Sequence, residues 1–156
     1  DTRQLTKLTN HWAIDTEPSY DATSKGIFFT SDRSGGPQIY HMDTPGAEPR
    51  RITFGSRYNA RPRPDNDGNY VYYVHQRDRA FHIARTELKT GEETILTRTE
   101  SDESPSVAPN GRMLIYATRQ GSDSVLTVIS TDGGAAYTLP AARGDVRDPA
   151  WSPILR

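Results

Sequence analysis

Residues 102–132 read DESPSVAPNGRMLIYATRQGSDSVLTVISTD and contain one complete copy of a unit that recurs along the chain. The unit begins with a strand led by Pro105 and turns at Pro-Asn-Gly. Two apolar strands follow, at residues 113–118 and 125–129. A polar turn joins them, and an Asp-Gly turn follows the second. The stretch therefore predicts short strands joined by tight turns.

Two markers repeat this unit with one period. Pro105 has counterparts at Pro18, Pro62 and Pro149, separated by 44, 43 and 44 residues. The pair at positions 8–9 (Leu-Thr) returns at 52–53 (Ile-Thr), 96–97 (Leu-Thr) and 139–140 (Leu-Pro), separated by 44, 44 and 43. A period of about 40 to 45 residues with four short strands per unit is typical of a β-propeller blade.

The composition favours a folded domain over a disordered chain. Hydrophobic residues make up 33% of the 156 residues, but they are grouped in runs such as GIFFT, YVYYV and MLIYA, and 19 basic residues nearly balance 20 acidic ones. The net charge of −1 gives no reason to expect nucleic acid as a partner. No run reaches the ~18 apolar residues of a membrane span, so direct membrane insertion is not expected. The absence of cysteine excludes disulfides without assigning a compartment.

The repeats divide the chain into blades. We predict an all-β fold, a β-propeller arc of three complete four-stranded blades at residues 10–54, 55–98 and 99–140. Residues 1–9 are predicted as the outer strand of a preceding blade, and residues 141–156 as the inner strand of a closing blade. Three blades cannot close a ring, which usually has about 4–8. The sequence therefore indicates a piece of a longer protein, or open ends covered by another molecule.

One hairpin departs from the pattern. Ser24 stands where the later units have Gly68 and Gly111. Because glycine relieves the positive φ of such turns, we expect a less regular hairpin at Ser24.

With the units aligned, the chain resembles the carboxyl-terminal part of the propeller domain of the TolB family, from the periplasmic Tol-Pal system. The resemblance rests on IDTEPSY, FTSDRSGGPQIYHMD, DESPSVAPNGRMLIYATRQG, SVLTVISTDGG and the terminal DPAWSPIL. It implies part of a six-bladed propeller located in the periplasm. It also implies no contact with TolA, because the family's amino-terminal α/β domain, which makes that contact, is not among these residues.

The function implied by the resemblance is protein binding, not catalysis. The family receives the lipoprotein Pal at one mouth of its central tunnel, supports outer-membrane integrity and cell division, and is exploited by colicin-type bacteriocins. The partner-binding positions are the three residues before each repeat proline. Carried over by position, they are Asp15, Thr16 and Glu17; Asn59, Ala60 and Arg61; Asp102, Glu103 and Ser104; and Val146, Arg147 and Asp148.

The residues themselves favour recognition in these loops. The position directly before the proline varies from acidic to basic to hydroxyl-bearing, whereas the strand positions keep their apolar character. Loops on a rigid scaffold commonly carry recognition. The alternative is that Asp15 and Asp102 only cap turns as Asx motifs.

Motifs for catalysis and metal binding are missing from the sequence. It contains no GxSxG, HExxH, GxxxxGK[ST] or GxGxxG, and its four histidines lack ligand spacing. We expect no cofactor, with calcium in the central tunnel as a remote option. Two alternatives remain: a gating propeller of a prolyl-oligopeptidase-type peptidase, and a generic scaffold propeller.

Overall fold

The computed structural model describes residues 4–140 and 144–152. Within this part of the chain all regular structure is β-strand, in three four-stranded antiparallel sheets. The first sheet contains β1 (Asp15–Tyr20), β2 (Ile27–Ser31), β3 (Gln38–Met42) and β4 (Arg50–Arg51). The second contains β5 (Asn59–Pro64), β6 (Tyr70–Arg77), β7 (Ala80–Glu87) and β8 (Glu93–Ile95). The third contains β9 (Glu103–Val107), β10 (Met113–Gln120), β11 (Asp123–Ser130) and β12 (Ala136–Thr138).

Each sheet is a meander whose strands pair in chain order. The first strands of neighbouring sheets, β1 with β5 and β5 with β9, lie beside each other. The sheets therefore radiate from a common axis as propeller blades. This confirms the all-β propeller arc with three complete blades that the sequence predicts.

Alternation along the second strand of each sheet builds the cores between the blades. Phe28 packs with Val71 and Tyr73 between the first and second sheets. Tyr72 packs with Leu114 between the second and third sheets. Since adjacent residues of a strand point to opposite faces, β6 contributes to both cores. Both of its faces are therefore covered, which explains why its sequence is a continuous apolar run.

The two terminal strands of the prediction are not formed in the described residues. Residues 4–10 and 144–152 form no strand; residues 1–3, 141–143 and 153–156 of the two predictions lie outside the described part. A strand is defined by its hydrogen-bonded neighbour, and the described residues contain no further sheet for these segments to join. The carboxyl-terminal segment still lies along the third sheet, where the Trp151 amide donates to Ser106 Oγ at 3.1 Å.

The first hairpin is irregular, and its left-handed residue is Lys25 (φ 60°), not Ser24. The equivalent residues of the later hairpins are Gly68 (φ 73°) and Gly111 (φ 70°). The connection from Tyr20 to Ile27 is one residue longer than its counterparts. Only glycine fits at the end of this longer connection, because a Cβ at Gly26 would lie 2.3 Å from the Met42 carbonyl oxygen.

Asp21 organises this longer turn. Its carboxylate accepts hydrogen bonds from the hydroxyls of Thr23 and Ser24, both at 2.7 Å, and lies 2.9 Å from His41 Nε2. Burial raises the pKa of Asp21, but the hydrogen bonds from Thr23 and Ser24 outweigh it and lower the pKa to about 2. The ionised carboxylate therefore stabilises the fold.

The low pKa of Asp21 predicts an acid-dependent loss of stability. Because the folded pKa lies below the unfolded value, the stabilisation is present above about pH 4 and is lost as pH falls through about 2. In urea unfolding, the wild type should exceed Asp21→Asn in unfolding free energy by a margin that is about 2 kcal/mol larger at pH 6 than at pH 2. A difference in unfolding free energy that stays constant across this range would contradict the prediction.

Candidate functional site

The residue before each repeat proline has a left-handed backbone. The φ angles are 54° at Glu17, 59° at Arg61, 54° at Ser104 and 50° at Asp148. This conformation is uncommon for residues other than glycine, and a following proline disfavours it further. In each sheet the register between the first two strands shifts at this point, as in a β-bulge. Glu17, Arg61 and Ser104 thus lie at bulges inside the first strands, not in the loops before them as the sequence suggests. Strain repeated four times at one position of the repeat marks this position as a candidate for function.

These four residues, here called the pre-proline ring, contact one another where the first strands of the three sheets lie beside each other. Arg61 Nε donates to Glu17 Oε1 at 3.0 Å, and the Arg61 backbone amide donates to Glu17 Oε2 at 3.0 Å. The Arg61 guanidinium also donates to Ser104 Oγ and, at 3.2 Å, to Asp148 Oδ1. Ser104 Oγ donates to Asp148 Oδ1 at 2.6 Å. One hydrogen-bonded chain therefore links all three sheets and the carboxyl-terminal segment.

Asp148, the most exposed carboxylate of the ring, is held in its ionised form by its neighbours. The hydrogen bond from Ser104 and the nearby Arg61 charge lower the pKa of Asp148, and together they outweigh burial, which raises it. Its side chain is 76% exposed, while those of Arg61 and Glu17 are 35% and 29% exposed. The ring thus presents fixed charges of both signs to solvent at neutral pH.

Two of the four residues three positions before the prolines are supports inside the scaffold. Asn59 and Asp102 are fully buried. Asp102 accepts hydrogen bonds from the hydroxyls of Thr97, Thr99 and Thr118, the last two at 2.5 Å. Asn59 Nδ2 donates to Gln38 Oε1 at 2.9 Å. Asp102 is thus held by threonine hydroxyls, where the Asx alternative predicts a bond to a turn amide, and a partner would reach these side chains only if the surrounding segments opened.

The threonine of the Leu-Thr marker belongs to the same supports. Thr53 Oγ1 accepts the Ile39 amide at 3.0 Å, and Thr97 Oγ1 accepts the Ile83 amide at 2.9 Å, 44 residues later. Thr97 in turn donates to Asp102. The second marker of the repeat is therefore explained by a hydrogen bond from the third strand to the end of the same blade, and Thr97 also ties its blade to the start of the next through Asp102.

Asp15, three positions before Pro18, is partly buried. Arg33 Nη2 lies 3.0 Å from both of its carboxylate oxygens, and the guanidinium also lies over the rings of Phe29 and Tyr40. Burial raises the pKa of Asp15, but hydrogen bonds from Ser31, Thr9 and Arg33, together with the Arg33 charge, hold it below its usual value. Asp15 is thus occupied by Arg33.

The remaining predicted residues differ in accessibility. Thr16 and Arg147 are exposed, Glu103 and Val146 are partly buried, and Ala60 is buried. The structure therefore brings Glu17, Arg61, Ser104 and Asp148 together, keeps Thr16, Glu103, Val146 and Arg147 accessible around them, and withdraws Asn59, Ala60 and Asp102. Partner contact by any of the twelve stays a prediction.

A cleft of about 360 Å³ opens beside the ring, between the second and third sheets. Its lining adds residues that the repeat pattern did not single out: Tyr58, Val74, Phe81, Ser101, Arg119 and Ser124. Arg119 and Ser124 face each other across the β10–β11 hairpin. For one of these residues, Arg119, the sequence offers a signal, because it lies at the end of an apolar strand next to a turn.

Metal binding gains no support from the described residues. Within residues 4–140 and 144–152, no group of three or more His, Cys, Asp and Glu side chains is placed to hold an ion. His75 is used internally, since its Nδ1 lies 2.9 Å from Asn59 Oδ1. Calcium in the tunnel stays an untested prediction.

Comparison with known proteins agrees with this architecture. The family model described as the TolB beta propeller domain matches residues 1–155. The Tol-Pal system protein TolB of Bordetella pertussis is 45% identical over 152 residues, which are 97% of this chain and 35% of that protein. The crystal structure of TolB from Acinetobacter baumannii is 44% identical with a TM-score of 0.89, over 97% of this chain and 38% of that one.

More distant structures share the fold alone. The propeller domain of the trilobed protease from Pyrococcus furiosus has a TM-score of 0.65 at 14% identity, over 83% of this chain and 44% of that one. The chain spans about a third or less of the length of the first curated relatives it matches. With a family model matching nearly all of its residues, the chain belongs to the TolB β-propeller family.

Proposed function

We propose that this chain is a protein-binding part of the Tol-Pal system and binds the lipoprotein Pal at the mouth formed by the pre-proline ring. The ring carries the proposal, because four strained backbone positions from three sheets and the terminal segment converge on one opening. The printed name of the relatives, Tol-Pal system protein TolB, supports the system.

Recognition follows from how the mouth is built. The buried hydrogen bonds of Asn59 and Asp102 fix the loops, so the ring is held rigid before a partner arrives. The exposed charges beside it then select a partner by complementarity and speed its approach. A rigid frame with varied charges around it suits specific protein binding.

The proposal places the protein in the periplasm, with a role in outer-membrane integrity and cell division. Bacteriocin peptides of the colicin type would compete with Pal for the same mouth. Among the described residues no helix is long and apolar enough to cross a membrane. The peptidase alternative is supported by fold likeness only, at 14% identity for the propeller of the trilobed protease.

Charge reversal at Arg147 tests the proposal. Arg147 is exposed, and no carboxylate of the described residues lies within ion-pair distance of it. Arg147→Glu is expected to weaken Pal binding at least about tenfold in calorimetric titration, because it replaces an attraction at the mouth by a repulsion.

Arg112→Glu is the matched control. Arg112 is exposed in the β9–β10 turn, at the other end of the third sheet, and its reversal changes the net charge equally. Circular dichroism of both variants shows whether they remain folded. Absence of Pal binding to the wild type, or equal losses in both variants, would contradict the proposed site.

A further inference from the structure

The cleft between the second and third sheets has an apolar floor. Tyr58 and Phe81 meet edge to face, with ring centroids 5.5 Å apart and an angle of 77° between the planes. Val74 lies beside them. Both rings are partly buried against the core between the blades. A partly accessible pair of aromatic rings in a concave surface favours an apolar or aromatic side chain from another molecule.

The rim of the cleft is basic. Arg119 and Arg147 are both exposed on the side of the third sheet. Within residues 4–140 and 144–152, neither guanidinium has an ion-pair partner. Two arginines without a carboxylate next to a concave surface form a site suited to a carboxylate.

The other charged residues of the cleft are already bound or of opposite sign. Arg61 is held by Glu17 and Asp148 in the ring, and Asp102 is buried under threonine hydroxyls. Glu103 is partly buried and contributes one negative charge. The charge available to a ligand is therefore that of Arg119 and Arg147, opposed by Glu103 and by Asp145, whose carboxylate accepts the Ser124 amide at the edge of the cleft.

The position of the two arginines is fixed by the backbone. Ser124 Oγ donates to the Val146 carbonyl oxygen at 2.9 Å, and the Ser124 amide donates to Asp145 Oδ1 at 3.0 Å. Since Arg119 pairs with Ser124 in the hairpin and Arg147 follows Val146, these bonds hold both arginines on the same wall. The site is thus preorganised.

From these contacts we propose that the cleft binds an acidic residue next to an aromatic residue in a partner polypeptide. The carboxylate lies between Arg119 and Arg147, and the aromatic ring packs on Tyr58 and Phe81. A volume of about 360 Å³ is at the small end for ligand sites, which suits two side chains. The identification of the partner as Pal rests on the proposed function, whereas the chemistry of the cleft does not.

Small peptides test the chemistry directly. Acetyl-Glu-Phe-amide is titrated into the isotope-labelled full chain, and backbone amide shifts are followed by NMR. Saturable shifts are expected at Phe81, Ser101 and Ser124. Acetyl-Gln-Phe-amide is expected to bind at least about tenfold more weakly, because it loses a charge-assisted contact, and acetyl-Glu-Ala-amide also more weakly, because it lacks the ring.

Variants of the chain separate this site from a general charge effect. Arg119→Gln should weaken the binding of the Glu-Phe peptide and leave the binding of the Gln-Phe peptide unchanged, while Arg112→Gln should alter neither. Glu103→Gln should strengthen the binding of the Glu-Phe peptide, because it removes a negative charge that opposes the carboxylate. Equal binding of the Glu-Phe and Gln-Phe peptides, shifts located elsewhere, or no shifts would overturn the proposal.

A parallel titration with Pal distinguishes the two proposals. If Pal binds the wild type and Arg119→Gln equally, the cleft is not its anchor, and the identification of Pal as the partner of the cleft fails while the proposed function stands. If the peptides behave as expected and Pal does not bind, the cleft is supported and Pal is the wrong partner.

Discussion

Asp102→Ala is expected to lower the free energy of unfolding by about 3 to 5 kcal/mol, because it removes the acceptor of buried hydroxyl donors. Thr97 and Thr118 are each 5% exposed, so their hydroxyls would lose their partner without reaching water. Asp102→Asn should have an intermediate effect, because its amide keeps one acceptor oxygen where the carboxylate has two. Urea unfolding at neutral pH measures all three proteins.

Asp67→Ala is the control for this prediction, since Asp67 is exposed in the β5–β6 turn. Its effect should stay within about 0.5 kcal/mol. A loss at Asp102 no larger than that at Asp67 would show that the loop does not depend on the buried carboxylate.

Leu114→Ala is expected to cost about 2 to 5 kcal/mol, through lost apolar burial and the cavity left between the second and third sheets. Leu114 is 0% exposed and packs in the cluster with Tyr72 and Ile83. Because this cluster contains residues of both blades, the loss should weaken the docking of the third sheet on the second. Thermal and urea unfolding would both report it.

Leu5→Ala is the same chemical change at a position that is 99% exposed. It should leave the unfolding free energy within about 0.5 kcal/mol of the wild type. Similar losses in the two variants would mean that the interface between the blades contributes little to stability.

The fold could be read from the sequence because the repeat is encoded twice. Prolines and the Leu-Thr pair keep one period, and both have structural causes: Pro62 follows the bulged position in β5, and Thr53 and Thr97 accept an amide from the third strand of their own blade. The paired strands were predictable because their apolar runs are local. The terminal strands stay a prediction, because a strand forms only beside a hydrogen-bonded neighbour and the described residues provide no further sheet for them.

The site was predictable in position and less so in role. The sequence shows that Glu17, Arg61, Ser104 and Asp148 occupy one repeat position, but their mutual bonds depend on how closely the blades approach. It gave Asp102 two readings, and only burial decides between them. Tyr58 and Phe81 lie far apart in the sequence and meet through the second sheet, so no local pattern could indicate the cleft.

The left-handed backbone before the repeat prolines has an evolutionary consequence. Acidic, basic and hydroxyl-bearing residues all occupy it with φ between 50° and 59°, so the main chain there tolerates a change of residue type. Under the proposed function, point substitutions at four codons therefore suffice to alter ligand preference in a descendant protein, with no insertion or deletion and no rebuilding of the surrounding sheets.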